Sequence, residues 1–235
     1  MPFETRVHAG KLLAEQLAAH AGEHPLVLAI PRGGVPVGRA IADALGGDLD
    51  VILVHKLRSP DNREFAIGSI AEDGHVFLRA EARKLGVSDL YLKEEAALQL
   101  EMLKRRRAMF TPVVSPIDPA GRIVIVVDDG LATGLTMIAA LRALRGRQAA
   151  RVILAVPVAP PETLRQMGAL AHETVCLETH EKFGAVGDYY ENFSPVTDEE
   201  AVELLRGGQG SGVNDTFSQA ASGAVPLDTI RAKVM

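Results

Sequence analysis

Hydrophobic positions along the chain follow two rhythms. Leu26-Val27-Leu28-Ala29-Ile30, Ile123-Val124-Ile125-Val126-Val127 and Val152-Ile153-Leu154-Ala155-Val156 are unbroken apolar runs that end in turn residues. Such runs predict strands buried on both faces. Val51-Ile52-Leu53-Val54 predicts another between the first two, and Thr174-Val175-Cys176-Leu177 a weaker last one. Elsewhere apolar residues recur at helical spacing: Leu13 and Leu17 before the first strand, Val37, Ile41 and Leu45 after it, and Met137, Leu141 and Leu144 after the run that ends at Val127. Each set predicts a helix with one apolar face. Strands alternating with helices require crossover connections, so the expected fold class is α/β, an open and mostly parallel sheet flanked by helices.

Two segments interrupt the alternation. Residues 56–76 mix turn residues with short strand-like pieces, which predicts a loop and hairpin insertion. From Ser88 to about Met109 a long helix is expected, with Leu92, Ala96, Leu100 and Leu103 as its stripe. A last helix runs from about Asp198 to Arg206, where Thr197 and Glu200 have capping-box spacing. Gly207-Gly208-Gln209-Gly210-Ser211-Gly212 then opens a polar, low-complexity stretch. The expected organisation is one domain over 1–206 and a disordered tail over 207–235.

Composition narrows the class. The 235 residues are 47% hydrophobic, with 30 acidic against 25 basic side chains and a net charge of −5, enough for one core without staples. The single cysteine, Cys176, lies in an apolar run and reads as inert core. The absence of a disulfide framework and of a signal-peptide pattern points to the cytoplasm, and no run suits a membrane span. Mild acidity argues against a nucleic-acid-coating protein. The run Lys104-Arg105-Arg106-Arg107 is explained by its place near a helix C-terminus. The seven histidines show no metal-ligand spacing and read as structural or surface residues.

In an open parallel sheet, ligands bind at the carboxyl ends of the strands. The strand ending at Val127 runs into Asp128-Asp129-Gly130-Leu131-Ala132-Thr133-Gly134-Leu135-Thr136 and then a helix. Backbone N–H groups at the helix start suit a phosphate, and Thr133 and Thr136 add hydroxyl donors. The two carboxylates suit hydroxyl donors or a developing positive charge. A ribose 5-phosphate offers both ends.

This segment, residues 124–136, resembles the motif that binds 5-phosphoribosyl 1-pyrophosphate (PRPP) in type I phosphoribosyltransferases. The similarity, to a bacterial group within that family, extends over residues 3–205 and includes Pro31-Arg32-Gly33-Gly34, Ala66-Ile67-Gly68 and Ala185-Val186-Gly187. The resemblance implies that Asp128 and Asp129 hold the ribose 2- and 3-hydroxyls, and that Gly130 and the stretch Ala132, Thr133, Gly134, Leu135 and Thr136 form the PRPP loop. Gly130 and Leu135 depart from the commonest pattern, where a branched residue and a glycine stand. Arg32, Gly33 and Gly34 resemble the pyrophosphate loop. Lys56 and Arg58 follow another strand end and are candidates for the leaving group, Lys56 with a catalytic role beside Asp128 and Asp129. The insertion resembles the family's flexible loop, and Phe183, Val186 and Tyr189 fall in the small hood that recognises the acceptor.

The expected activity is transfer of the phosphoribosyl group to a nitrogen of a nucleobase-like acceptor, with Mg2+ held mainly by PRPP oxygens and a homodimer as the default assembly. Two other classes share these features: a PRPP-binding regulator that contacts nucleic acid through residues 104–107, and a phosphate-ester hydrolase.

Overall fold

A computed structural model describes residues 2–62, 65–79, 82 and 85–207. Five parallel strands form the central sheet in the order β2-β1-β6-β7-β8. They are β1 (Leu26–Ala29), β2 (Asp48–Val51), β6 (Ile123–Val127), β7 (Arg151–Ala159) and β8 (Glu173–Thr179). Side chains alternate across the sheet, so every central strand feeds two cores. Val27, Ile125 and Ile153 pack on one face with Leu13 and Leu17 from α1 (Arg6–Gln16) and its following turn, and Ile41 from α2 (Gly34–Leu45). Leu28, Val126 and Leu154 pack on the other with Met137 and Leu141 from α4 (Leu135–Ala143) and Met167 from α5 (Pro161–Met167). The expected open sheet with helices on both sides is what the chain forms.

The insertion makes a second, antiparallel sheet of β3 (Val54–Arg58), β4 (Ala66–Ala71) and β5 (Val76–Leu78). Leu57 and Ile67 are fully buried, so this sheet is rooted in the core. Across it lies α3 (Asp89–Phe110), capped by Ser88 and contributing Leu100, Leu103 and Phe110. The last helix, α6 (Asp198–Arg206), begins with the expected capping box. Thr197 Oγ1 accepts from the Glu200 N–H at 3.1 Å, and Glu200 Oε2 accepts from the Thr197 N–H at 2.7 Å.

One strand is misplaced by the apolar pattern. The run 51–54 is a junction: β2 ends at Val51, Ile52 and Leu53 turn between sheets, and β3 starts at Val54. The true strand contains Asp50, only 2% exposed, whose carboxylate accepts from Arg107 Nη1 at 2.7 Å and from the Ile117 N–H at 3.1 Å. An acid inside a buried strand breaks the apolar run, and the partners that make it tolerable lie far along the chain. Arg107 also meets Glu72 through two hydrogen bonds of 2.6 Å. The basic run is therefore not explained by a helix end alone.

Among the described residues no helix is long and apolar enough to cross a membrane. The expected tail, from residue 208 on, and residues 63 and 64 of the insertion lie outside the described residues.

Candidate active site

β6 is buried from Val124 to Val127 and held between β1 and β7, so the residues just beyond it have a fixed position. Asp128 Oδ1 accepts from the Asp129 N–H at 2.9 Å. Asp129 Oδ2 accepts from Arg6 Nε at 2.8 Å, and the Asp129 carbonyl accepts from the Tyr190 hydroxyl at 2.6 Å. Arg6 is seated in turn: its Nη1 donates to the Ser194 carbonyl at 2.8 Å, and its guanidinium stands 3.8 Å from the centre of the Phe193 ring. Burial pushes the Asp128 carboxyl well above the usual carboxylate range, and the Asp129 charge adds to it. Burial also raises Asp129, against the opposing pull of Arg6. Burial and the same acids push the Tyr190 hydroxyl up, keeping it a donor. Two carboxyls thus share a site that disfavours their joint ionisation unless a cation or hydroxyl donors arrive.

The turn after β1 presses directly on this pair. A Cβ on Gly34 would lie 2.8 Å from the Val127 carbonyl oxygen and 3.1 Å from Asp128 Cα, and one on Gly33 would run into the Asp129 carboxylate. Glycine is needed here for close approach. The Pro31-Arg32 peptide is cis. Arg32 does not line the cleft described below; its Nη1 stands 3.5 Å from Asp198 Oδ2 at the start of α6.

The rest of the motif lies at the start of α4. Gly130 is packed by Val186 and Val158. Ala132 and Thr133 are exposed, and the Ala132 carbonyl accepts from Thr163 Oγ1 at 2.8 Å. Gly134, at φ +66°, is the N-cap, and Leu135 opens a helix whose first turn carries no acid. The positive helix end is therefore available to an anion.

Beside it opens a cleft of about 250 Å3, where Pro31, His55, Lys56, Arg58, Arg106 and Thr136 meet over apolar walls. The structure thus gathers Lys56, Arg58 and Thr136 at one place. Phe183 and Tyr189, both expected to border the acceptor, stack on each other at 4.9 Å, and His180 lies 4.6 Å from Tyr189, so these rings pack among themselves. Val186, the third residue expected there, packs against the motif at Gly130. Cys176 donates to the Glu178 carbonyl at 3.1 Å, and burial pushes its thiol up to about 11, as an inert core cysteine requires.

Sequence reasoning misses Arg6, Thr163, His55 and Arg106, and it offers Tyr190 only as a ring that packs over the sheet edge or stacks on a base, without its bond to Asp129. Arg6 is 123 positions from its partner. No local spacing signals a contact of that kind; only the arginine run is visible, and by itself it reads as a helix end.

Phosphoribosyl transferase domain is the family that matches, over residues 6–192. Two proteins of Mycobacterium tuberculosis, from strains CDC 1551 and H37Rv and provisionally named phosphoribosyl transferases, are each 40% identical over 204 residues. That alignment covers 86% of this chain and 46% of theirs, so the chain spans about half the length of these relatives. The crystal structure of the protein TT1426 from Thermus thermophilus superposes with a TM-score of 0.79 at 45% identity, covering 88% of this chain and 98% of that one. With an acidic pair after the middle strand, an open helix start and a fold shared with such relatives, the chain belongs to the phosphoribosyl transferase domain family.

Proposed function

We propose that the domain transfers the phosphoribosyl group of PRPP to a nitrogen of a nucleobase-like acceptor and releases pyrophosphate. The observation that carries this reading is the contact of two loops, with Gly33 and Gly34 lying against Asp128 and Asp129, next to a helix start that also borders a cation-lined cleft. A ribose ring over the acids would place its 5-phosphate at residues 132–136 and its pyrophosphate toward Lys56 and Arg58. Loss of pyrophosphate leaves positive charge on the ribose ring. The acidic pair, uncomfortable when both members are ionised, gains most from that charge. Lys56 and Arg58 would take the negative charge developing on the leaving group.

Magnesium fits this reading as part of the substrate. Among the described residues no group of three or more His, Cys, Asp and Glu could hold a metal ion, and Asp129 already engages Arg6. The ion would therefore arrive on PRPP oxygens and screen the pyrophosphate charge as it leaves. The hood residues Phe183, Val186 and Tyr189 are proposed to border the acceptor, with Val186 nearest the motif.

The nucleic-acid reading loses support from the basic run, because Arg107 is committed to Asp50 and Glu72 and Arg106 faces the cleft. The test is a PRPP-dependent pyrophosphate-release screen across purines, pyrimidines and small amines. Release is expected only with PRPP, magnesium and a suitable base. Calorimetry that finds no PRPP binding by the folded protein overturns the proposal.

A further inference from the structure

We propose that Arg106, on the last turns of α3, is the third cation of a diphosphate pocket shared with Lys56 and Arg58. This rests on the transferase reading but assigns a residue that lies outside both loops resembling the family motifs.

The four basic residues of the run serve different ends. Arg105 is largely exposed and pairs with Glu101 on its own helix at 3.2 Å. Arg107 turns inward to Asp50 and Glu72. Successive helical residues point in different directions, and Arg106, half-buried, lines the cleft opposite β3. The Arg107 anchor fixes the last turns of α3 to β2 and to the end of β4, so Arg106 is presented from a rigid base.

The cleft has the chemistry of an anion site. Among the described residues no Asp or Glu lines it, while Lys56, Arg58 and Arg106 do. Glu95 is the nearby acid, and its Oε1 accepts from the Arg58 N–H at 3.2 Å and from Gln99 Nε2 at 3.0 Å. Walls of Ile52, Leu53 and Leu103 give the cleft a low-dielectric side that strengthens the field of the cations. His55 lines the same cleft with a buried Nδ1 that has no hydrogen-bond partner. Burial depresses its pKa, the Lys56 backbone and more weakly Glu95 oppose this, and Arg58 and Arg106 add to the lowering, so both guanidinium charges are felt at this ring. At about 250 Å3 the cleft is below the roughly 300–1,000 Å3 of sites for larger ligands, a size for a diphosphate rather than a nucleotide.

Calorimetry on the full chain, with inorganic pyrophosphate and ribose 5-phosphate titrated separately, tests this. Arg106→Gln is expected to weaken pyrophosphate by at least about fivefold and to leave ribose 5-phosphate unchanged, as loss of a charge-assisted contact predicts. Arg105→Gln should alter neither, and Arg106→Lys should recover part of the loss. A smaller loss of pyrophosphate binding in Arg106→Gln, an equal loss of both ligands, or a wild-type chain that binds ribose 5-phosphate but not pyrophosphate overturns the pocket and leaves the transferase reading standing. A folded wild-type chain that binds neither PRPP nor ribose 5-phosphate overturns the reading and the pocket together.

Discussion

Arg6 and Asp129 stand 2.8 Å apart across 123 positions of sequence, and among the described residues the arginine is the cation set against the acidic pair. Both side chains are mostly buried, at 10% and 14% exposure. A surface pair of this type would contribute little. Here the arginine offsets a charge held against a second carboxyl, so its removal leaves two acids facing each other.

Arg6→Met is therefore expected to destabilise the fold by about 2–3 kcal/mol, less than the full penalty of breaking a completely buried pair. For a domain of this size that lowers the melting temperature by roughly 5–10 °C. Thermal unfolding at neutral pH checks it, with Arg6→Lys expected to fall between wild type and Arg6→Met. PRPP affinity should fall in the same order.

Asp128→Asn should raise stability while weakening PRPP binding. The folded-state pKa of Asp128 lies above its unfolded value, so the folded chain holds the proton more tightly. Stability attached to the neutral carboxyl is present at low pH and lost as pH rises from about 3.8 through the folded pKa. A neutral amide removes that loss, so the variant should melt higher than wild type at pH 7. Calorimetry should show PRPP binding weakened, and more so when Asp129→Asn is added. A lower melting temperature for Asp128→Asn would contradict the assignment of strain to this carboxyl.

Gly46 and Gly134 both sit at φ +66° but differ in surroundings. A Cβ on Gly46 meets open space, whereas on Gly134 it meets Met167 Cε and stands 2.7 Å from Thr163 Cγ2. Gly46→Ala is expected to destabilise by about 1 kcal/mol, the strain of a left-handed alanine. Gly134→Ala carries the same strain plus overpacking, about 1–3 kcal/mol more. Denaturant unfolding separates them, and Gly134→Ala alone should impair ribose 5-phosphate binding.

His55 gives the opposite pH dependence to Asp128. Burial and its cationic neighbours lower its folded-state pKa below 6.5, so the unfolded chain takes up the proton first. Its contribution is fully present above pH 6.5 and is lost as pH falls through the folded value. Subtracting the melting profile of His55→Asn from that of wild type should isolate this slope from that of the acids. A difference that stays flat between neutral and mildly acidic pH would show that His55 takes up its proton equally in the folded and unfolded chain, and would overturn the lowered folded-state pKa.

The strands at 26–29, 123–127 and 151–159 are legible because fully buried β-structure leaves continuous apolar runs, and the acidic turn is legible because its residues are consecutive. β2 is not, since Asp50 interrupts its run and Arg107 neutralises it from α3, far along the chain. α5 escapes notice because seven residues are too few to show a period. Gly33 and Gly34 are visible as a turn, but their contact with Asp128 and Asp129 depends on β1 pairing with β6. The residues that complete the site, Arg6, Tyr190 and Arg106, are brought in by tertiary packing, which local patterning does not encode.

The bridge between Phe3 and Tyr190 bears on the order in which the site is assembled during synthesis. Phe3 donates its N–H to the Tyr189 carbonyl and accepts from the Glu191 N–H, each at 2.8 Å, and Glu4 accepts from the Asn192 N–H at 3.0 Å. These contacts join the first residues to the far end of the matched domain, so closing them requires almost the whole chain between. Residues 193 and 194 supply the ring and carbonyl that seat Arg6. A nascent chain stalled before that point can pair β1 with β6 and bring the two acids together, yet has no seat for the arginine that accompanies them. In order of synthesis, the acidic pair precedes the residues that seat its counter-charge.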